Sequence, residues 1–405
     1  MSKIIVTNFL IIFILSCHDV PTKKIETPKS RKCNCGKIEN IKDFKNGITL
    51  INAGDCYYYV DEFANLIFND TFYSADQFRG IHATVQFCEN DSVKYSIIDT
   101  SGKITLNIYK DYELLYVEEE GNYIKFDVKD RDQSTLTGIM SLDGEIIIPP
   151  QRYLIPIYRN MAMQDVSNGV VVYDLNTGKR LSDFAGYPGK ASEGFGVIMN
   201  DRHCFIIDSN GQEVFERYDF IANYSEGLVK VFDEGRVFFL DYTGELAIDF
   251  LYEYYGHDNR GFSDGLCSMS IEDESGEGKH GFINKKGKMV IPQIYDETYD
   301  FENGYARVVL NDTMRLIDKK GKLIVKSNYK SFRVLDKELY RVMVWNDVKK
   351  EWYYKIFDNT NTESNMVFTS ISNSCNGRVV GAINDKLVSI SLDSLKNNIK
   401  MFHKN

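Results

Sequence analysis

Gly261-Phe262-Ser263-Asp264-Gly265 has the G-x-S-x-G spacing of a nucleophile elbow. That chemistry needs a serine on a sharp strand-to-helix turn, with a base within hydrogen-bond reach. The surrounding sequence supplies a different explanation. One unit earlier the chain reads Tyr224-Ser225-Glu226-Gly227, so serine, acid and glycine form a recurrent loop. Ser263 is therefore expected to be a loop residue equivalent to Ser225, with no histidine poised beside it.

Gly276-Glu277-Gly278-Lys279-His280-Gly281 matches G-x-G-x-x-G. A dinucleotide fingerprint needs a helix after the glycines, whose N-terminus holds the phosphates. Phe282-Ile283 begins a strand pattern instead, so the segment reads as a hairpin tip. The acidic stretch Glu272-Asp273-Glu274-Ser275-Gly276-Glu277 lacks the alternating spacing of a calcium loop and reads as solvated. His18, His82, His203, His257, His280 and His403 form no metal-ligand pair by spacing. Cys56, Cys88, Cys204, Cys267 and Cys375 lie in apolar strand contexts and are expected as buried thiols, without a disulfide ladder. Cys33-Asn34-Cys35 is a possible reactive or crosslinking pair in a tether. No catalytic, metal or cofactor-binding residue is assigned, and no cofactor is implied.

The elements behind these motifs repeat. Apolar residues, then Asp or Asn, two polar residues and Gly recur at Ile98-Asp99-Thr100-Ser101-Gly102, Ile207-Asp208-Ser209-Asn210-Gly211 and Leu240-Asp241-Tyr242-Thr243-Gly244. The pattern returns at Asn284 to Gly287 and Asp318 to Gly321. Weaker copies start at Asp61, Ser141, Asp174 and Asp358, giving nine in all. An Asp side chain accepts backbone N–H groups two residues on, and Gly three positions later supplies a positive φ. Each copy is thus a β-hairpin turn. A second signature, an aromatic, a polar residue, Glu or Asp and then Gly, precedes another apolar strand, as in Tyr224-Ser225-Glu226-Gly227-Leu228, with Phe301-Glu302-Asn303-Gly304-Tyr305 as another copy. Each unit is expected to hold three short strands.

Gly281-Phe282-Ile283-Asn284-Lys285-Lys286-Gly287-Lys288-Met289-Val290-Ile291-Pro292 resembles a WG repeat, with His280-Gly281 at the Trp-Gly position. The resemblance covers residues 57 to 392. It implies an all-β tandem array, common in bacterial surface and secreted proteins, with no shared catalytic residues. Nine three-stranded units are expected to form an open, twisting array, with a propeller-like ring as the alternative.

The N-terminus reads as an address. Lys3 precedes an apolar run from Ile4 to Leu15, too short to span a bilayer. Ile14-Leu15-Ser16-Cys17 resembles a bacterial lipobox, which implies cleavage after residue 16 and lipidation of Cys17. Residues 17–42 are polar and charged and read as a flexible tether. Residues 43–392 form the repeat domain and 393–405 a polar tail.

A net charge of −10 argues against nucleic acid as the main partner. The sequence therefore points to a lipid-anchored cell-envelope protein, periplasmic or surface-facing. Its repeats would bind a protein or glycan partner without catalysis. The alternative is a surface glycan hydrolase with carboxylates converging on one face.

Overall fold

The computed structural model describes residues 35–402, apart from 69, 90–91, 109–111, 119–121, 158–159, 168, 202, 215–216, 254–259, 273–277, 327–330, 337 and 361. The described residues fold as ten small antiparallel sheets in sequence order. We number them as blades: 1 (35–60), 2 (74–108), 3 (114–151), 4 (154–184), 5 (187–207), 6 (220–253), 7 (262–295), 8 (297–326), 9 (331–368) and 10 (370–391). Each is a meander of three or four strands.

The hydrophobic core is divided among the gaps between blades. Alternating apolar residues on each strand face one neighbour or the other. Val237, Phe239 and Ile248 of blade 6 pack with Cys267, Met269 and Ile283 of blade 7. Phe282, Ile291 and Tyr295 of blade 7 pack with Ala306, Val308 and Ile317 of blade 8. The pattern runs the whole way round. Ile38, Ile51 and Ala53 of blade 1 pack with Val380, Ala382 and Leu387 of blade 10. Last blade therefore meets first, and the array is a closed, propeller-like ring rather than the open twist given first place above.

All nine Asp-, Asn- or Ser-led segments form the turn between the third and fourth positions of blades 1 to 9. Asp208 N–H donates to Gln212 O at 2.9 Å, and Gly211 N–H returns to Asp208 O at 2.9 Å. Asp208 Oδ1 accepts from the amides of Asn210 and Gln212, both at 2.9 Å. Gly211 has φ 72° and Gly321 φ 75°, as the turn reading requires. At Gly287 a second constraint operates: an added Cβ would lie 2.6 Å from Ile248 Cγ2 of the preceding blade.

The unit count differs by one, for a physical reason. Blade 10 has no third turn, because its last strand Lys386–Ser391 runs directly into the helix Leu392–Phe402. The turn signature and its weaker copies therefore number nine, while the sheets number ten. Seven sheets have four strands in all, and every sheet holds a strand outside the three expected, the first in sequence. In blades 2, 7 and 8 it is two residues long, Ser74–Ala75, Phe262–Ser263 and Glu297–Thr298. Two residues carry no readable period, so the three-strand expectation missed it.

Both ends of the domain are corrected. Residues 393–402, read as polar tail, lie in a helix whose Leu392, Leu395 and Ile399 are buried against blades 9 and 10. Ser391 caps it, its Oγ accepting the Ser394 amide at 3.1 Å. At the other end, Cys35–Ile41 is a strand rather than tether, and Cys35 is disulfide-bonded to Cys56 within blade 1. The expectation of a free Cys56 thus fails. Cys35 and Cys56 sit at opposite ends of a chain excursion of 21 residues, joined only by strand pairing that sequence spacing does not reveal. Cys204 and Cys267 are buried thiols, as expected.

Candidate functional site

The nucleophile-like motif is a stitch between blades. Phe262–Ser263 is a strand, followed by a turn and another strand, Leu266–Glu272, so the strand-to-helix context of an elbow is absent. Ser263 Oγ donates to the Phe301 carbonyl of blade 8 at 2.6 Å. Ser225 Oγ makes the same bond to the Phe262 carbonyl of blade 7. Ser263 and Ser225 are thus equivalent, and both hydroxyl protons are committed to neighbouring backbone.

The acids of this loop have an equally regular duty. Glu193 accepts the amides of Glu226 and Gly227 at 2.7 and 3.0 Å. Glu226 accepts from Gly265 at 3.0 Å, and Asp264 accepts from Gly304 at 2.6 Å. Each acid occupies a positive φ, between 52° and 54°, beside a positive-φ Gly. Such paired left-handed residues make a two-residue hairpin whose twist matches the strands. Glu226 also pairs with Lys285 at 3.1 Å, and Glu193 accepts from the Tyr242 hydroxyl at 2.7 Å. The stitch extends to the ring closure, where Asn376 of blade 10 donates to Glu62 beyond blade 1 at 3.1 Å.

Of the glycine-rich segment, residues 276 and 277 lie outside the described residues, and Gly278–Asn284 is a strand. The acidic stretch 273–277, His18, His257, His403, Cys33 and Cys17 likewise lie outside them. Among the described residues, no three His, Cys, Asp or Glu side chains gather as a metal site.

Two cavities gather several charged residues that lie outside the repeat signatures. One, of about 270 Å³, lies where blades 9, 10 and 1 meet and is lined by Lys42, Asp43, Arg333, Arg341, Met343 and Tyr354, among others. The other, of about 390 Å³, lies across blades 7 to 9 and includes Arg260, Tyr299, Arg307 and Arg333. Arg333 lines both.

Asp43 is the hub of the first cavity. It pairs with Arg333 and, at 3.3 Å, with Arg341. Its Oδ1 also accepts the Asn373 amide at 2.7 Å, while Asn373 Oδ1 accepts the Phe44 amide at 2.7 Å. Arg341 donates to the Ile371 carbonyl and stacks over the Tyr354 ring, 5.6 Å from its centroid. Burial pushes the Arg341 guanidinium below its usual range, opposed by the Asp43 charge and assisted by repulsion from Arg333. One carboxylate thus serves two guanidinium groups.

Sequence reasoning did not find these residues. A usable signal existed: the chain has only two Trp, at 345 and 352, symmetric about a polar hairpin tip. They are a directly opposed cross-strand pair, about 40% exposed each, with ring centroids 5.0 Å apart.

A family model described as "WG containing repeat" matches residues 205–236 and 281–313. The chain contains WG repeats. The two matches begin in blade 5 and blade 7 respectively and run into the next blade, so one WG repeat straddles two sheets. At the WG position, Gly281 is required by close approach: a Cβ there would lie 2.5 Å from Ile291 O on the paired strand. Among solved structures the chain is similar to one titled a crystal structure of the eukaryotic initiation factor. The identity is 12%, covering 80% of this chain and 96% of that one, with a TM-score of 0.49. It is also similar to PorZ, titled an essential bacterial surface component of the type-IX secretion system of Porphyromonas gingivalis. There the identity is 11%, covering 86% of this chain and 50% of that one, with a TM-score of 0.28. Among curated proteins no sequence matches.

Proposed function

We propose that this chain is a non-enzymatic binding module, held at the cell envelope by lipid on Cys17. One observation carries the binding reading. The regular Ser, Asp and Glu side chains are spent on stitching blades, as Ser263 and Asp264 show. Asp43, Arg333, Arg341 and Tyr354, which lie outside the repeat signatures, meet instead in the cavity at blades 9, 10 and 1. Repeat rings of this kind offer a rigid frame and leave recognition to such departures.

Two features support the envelope part of the reading. The Ile14-Leu15-Ser16-Cys17 sequence resembles a lipobox. The Cys35–Cys56 disulfide suits an exported chain, because disulfides persist in oxidising compartments.

The test has two arms. Cys17→Ser should move the protein from the membrane to the soluble fraction, and unchanged membrane association would reject the anchor. The soluble ring should be retained by isolated envelope glycan without releasing fragments. Released reducing ends would replace the binding reading with a hydrolase.

A further inference from the structure

Blade 9 carries a ladder of aromatic and cationic side chains on its face toward blade 10. Its central strands, Leu339–Asn346 and Glu351–Asp358, pair Arg341 with Ile356, Met343 with Tyr354 and Trp345 with Trp352. Period-two alternation puts these residues on one face. The opposite face, with Tyr340, Val342 and Phe357, is buried against blade 8. Both strands have eight residues, whereas the central strands of blades 8 and 10 have six. The hairpin therefore extends about two residues further, roughly 7 Å at the strand rise.

The ladder leads from an exposed tryptophan pair down to a cationic cavity. Met343, Tyr354 and Arg341 line the 270 Å³ cavity, and Trp345 and Trp352 stand one step further out. Arg333 and Arg341 share the single carboxylate of Asp43 there, a local excess of positive charge in a chain of net charge −10. Aromatic faces beside fixed polar groups suit the C–H and O–H surfaces of a sugar ring, and guanidinium groups suit a carboxylate. A peptide added as a strand fits less well, because Arg341 already occupies the Ile371 carbonyl on the first strand of blade 10.

We propose that the Trp345–Trp352 pair and the Arg333–Arg341 cavity form a binding subsite for carboxylate-bearing sugar residues. The sugar stacks on the tryptophans, and its carboxylate neutralises the charge that Asp43 leaves over. This rests on the binding-module reading and names its ligand class.

Because the chain has only two Trp, intrinsic tryptophan fluorescence reports this subsite alone. The probe is trigalacturonic acid, with maltotriose as the neutral sugar and hexaglutamate as the acidic peptide. Trigalacturonic acid should shift the emission saturably, with maltotriose and hexaglutamate each at least about tenfold weaker. By calorimetry, Trp352→Ala and Arg333→Gln should each weaken trigalacturonic acid binding by about tenfold or more. Arg131→Gln, on a distant exposed turn, should leave it unchanged, and thermal melts identify any variant that has lost its fold. Absence of saturable binding, or binding indifferent to Trp352→Ala, overturns the proposal. Equal binding of hexaglutamate overturns the sugar assignment. Retention of the ring on envelope glycan without affinity for trigalacturonic acid removes this subsite and leaves the binding module standing. Cleavage of trigalacturonic acid removes the non-enzymatic reading and leaves the subsite.

Discussion

Asp264 in blade 7 accepts the amide N–H of Gly304 in blade 8 at 2.6 Å. The same relation joins Glu226 to Gly265 at 3.0 Å, one blade earlier. Carboxylates that a sequence reader would offer to catalysis are here the fasteners of a ring. Asp264→Ala should destabilise the protein by about 1 kcal/mol, while Asp264→Asn, which keeps an acceptor, should cost less. Chemical denaturation compares them, and equal loss in both variants would show that the acceptor is irrelevant.

Ser263 gives a companion test. Its hydroxyl donates to Phe301 O at 2.6 Å, so Ser263→Ala should cost about 1 kcal/mol and leave binding at the Trp345–Trp352 subsite unchanged. A serine-hydrolase probe should leave the wild-type protein unlabelled. Labelling that disappears in Ser263→Ala would return the serine to chemistry.

A different turn can be improved. Asp130 to Ser134 repeats the Asp-led hydrogen bonds, but Gln133 stands where Gly is usual, at φ 62°. Gln133 is exposed, so Gln133→Gly relieves left-handed strain and removes no buried group. A gain of about 0.5–1 kcal/mol is expected from the relative costs of positive φ and chain entropy. Ala64, at φ 64°, is the contrasting case. Its methyl is buried in the blade 1 core, so Ala64→Gly loses about as much as it gains. A melting temperature unchanged or lowered by Gln133→Gly would contradict the turn assignment.

Acid should act on these turns. The Thr243 hydroxyl and backbone amides donate to Asp241 and hold its carboxyl below the usual range; Ser101 does the same for Asp99. A depressed folded value gives stability that is complete above the unfolded value, about 4, and is lost as pH falls through the folded one. The ring should therefore weaken below about pH 4. Asp241→Asn cannot titrate and should flatten that acid limb in urea titrations at descending pH. An unaltered limb would place the acid sensitivity elsewhere.

The Asp-x-x-Gly turns were legible because one residue type does one local job. Asp208 bonds amides two and four positions on, and no distant residue is needed to read it. Ring closure was not legible, since it depends on Ile38 and Ile51 meeting Val380 and Leu387 across nearly the whole chain. The cavity shares that difficulty: Asp43 and Arg341 are 298 residues apart in sequence. The Cys35–Cys56 bond was hidden by the polar composition around Cys35, which reads as tether although its Ile38 and Ile41 are buried.

Closure of the ring is the claim on which the cavity, the tryptophan ladder and the binding reading depend. Asn376 of blade 10 lies 3.1 Å from Glu62 beyond blade 1. With Asn376→Lys, zero-length carbodiimide coupling should join residues 62 and 376 in the monomer band, identified by mass spectrometry. Native Lys285 and Glu226, 3.1 Å apart on adjacent blades, serve as the internal control. A 62–376 linkage formed as readily as the control is the expected result. Coupling of Lys285 to Glu226 without any 62–376 linkage would mean that the array is open.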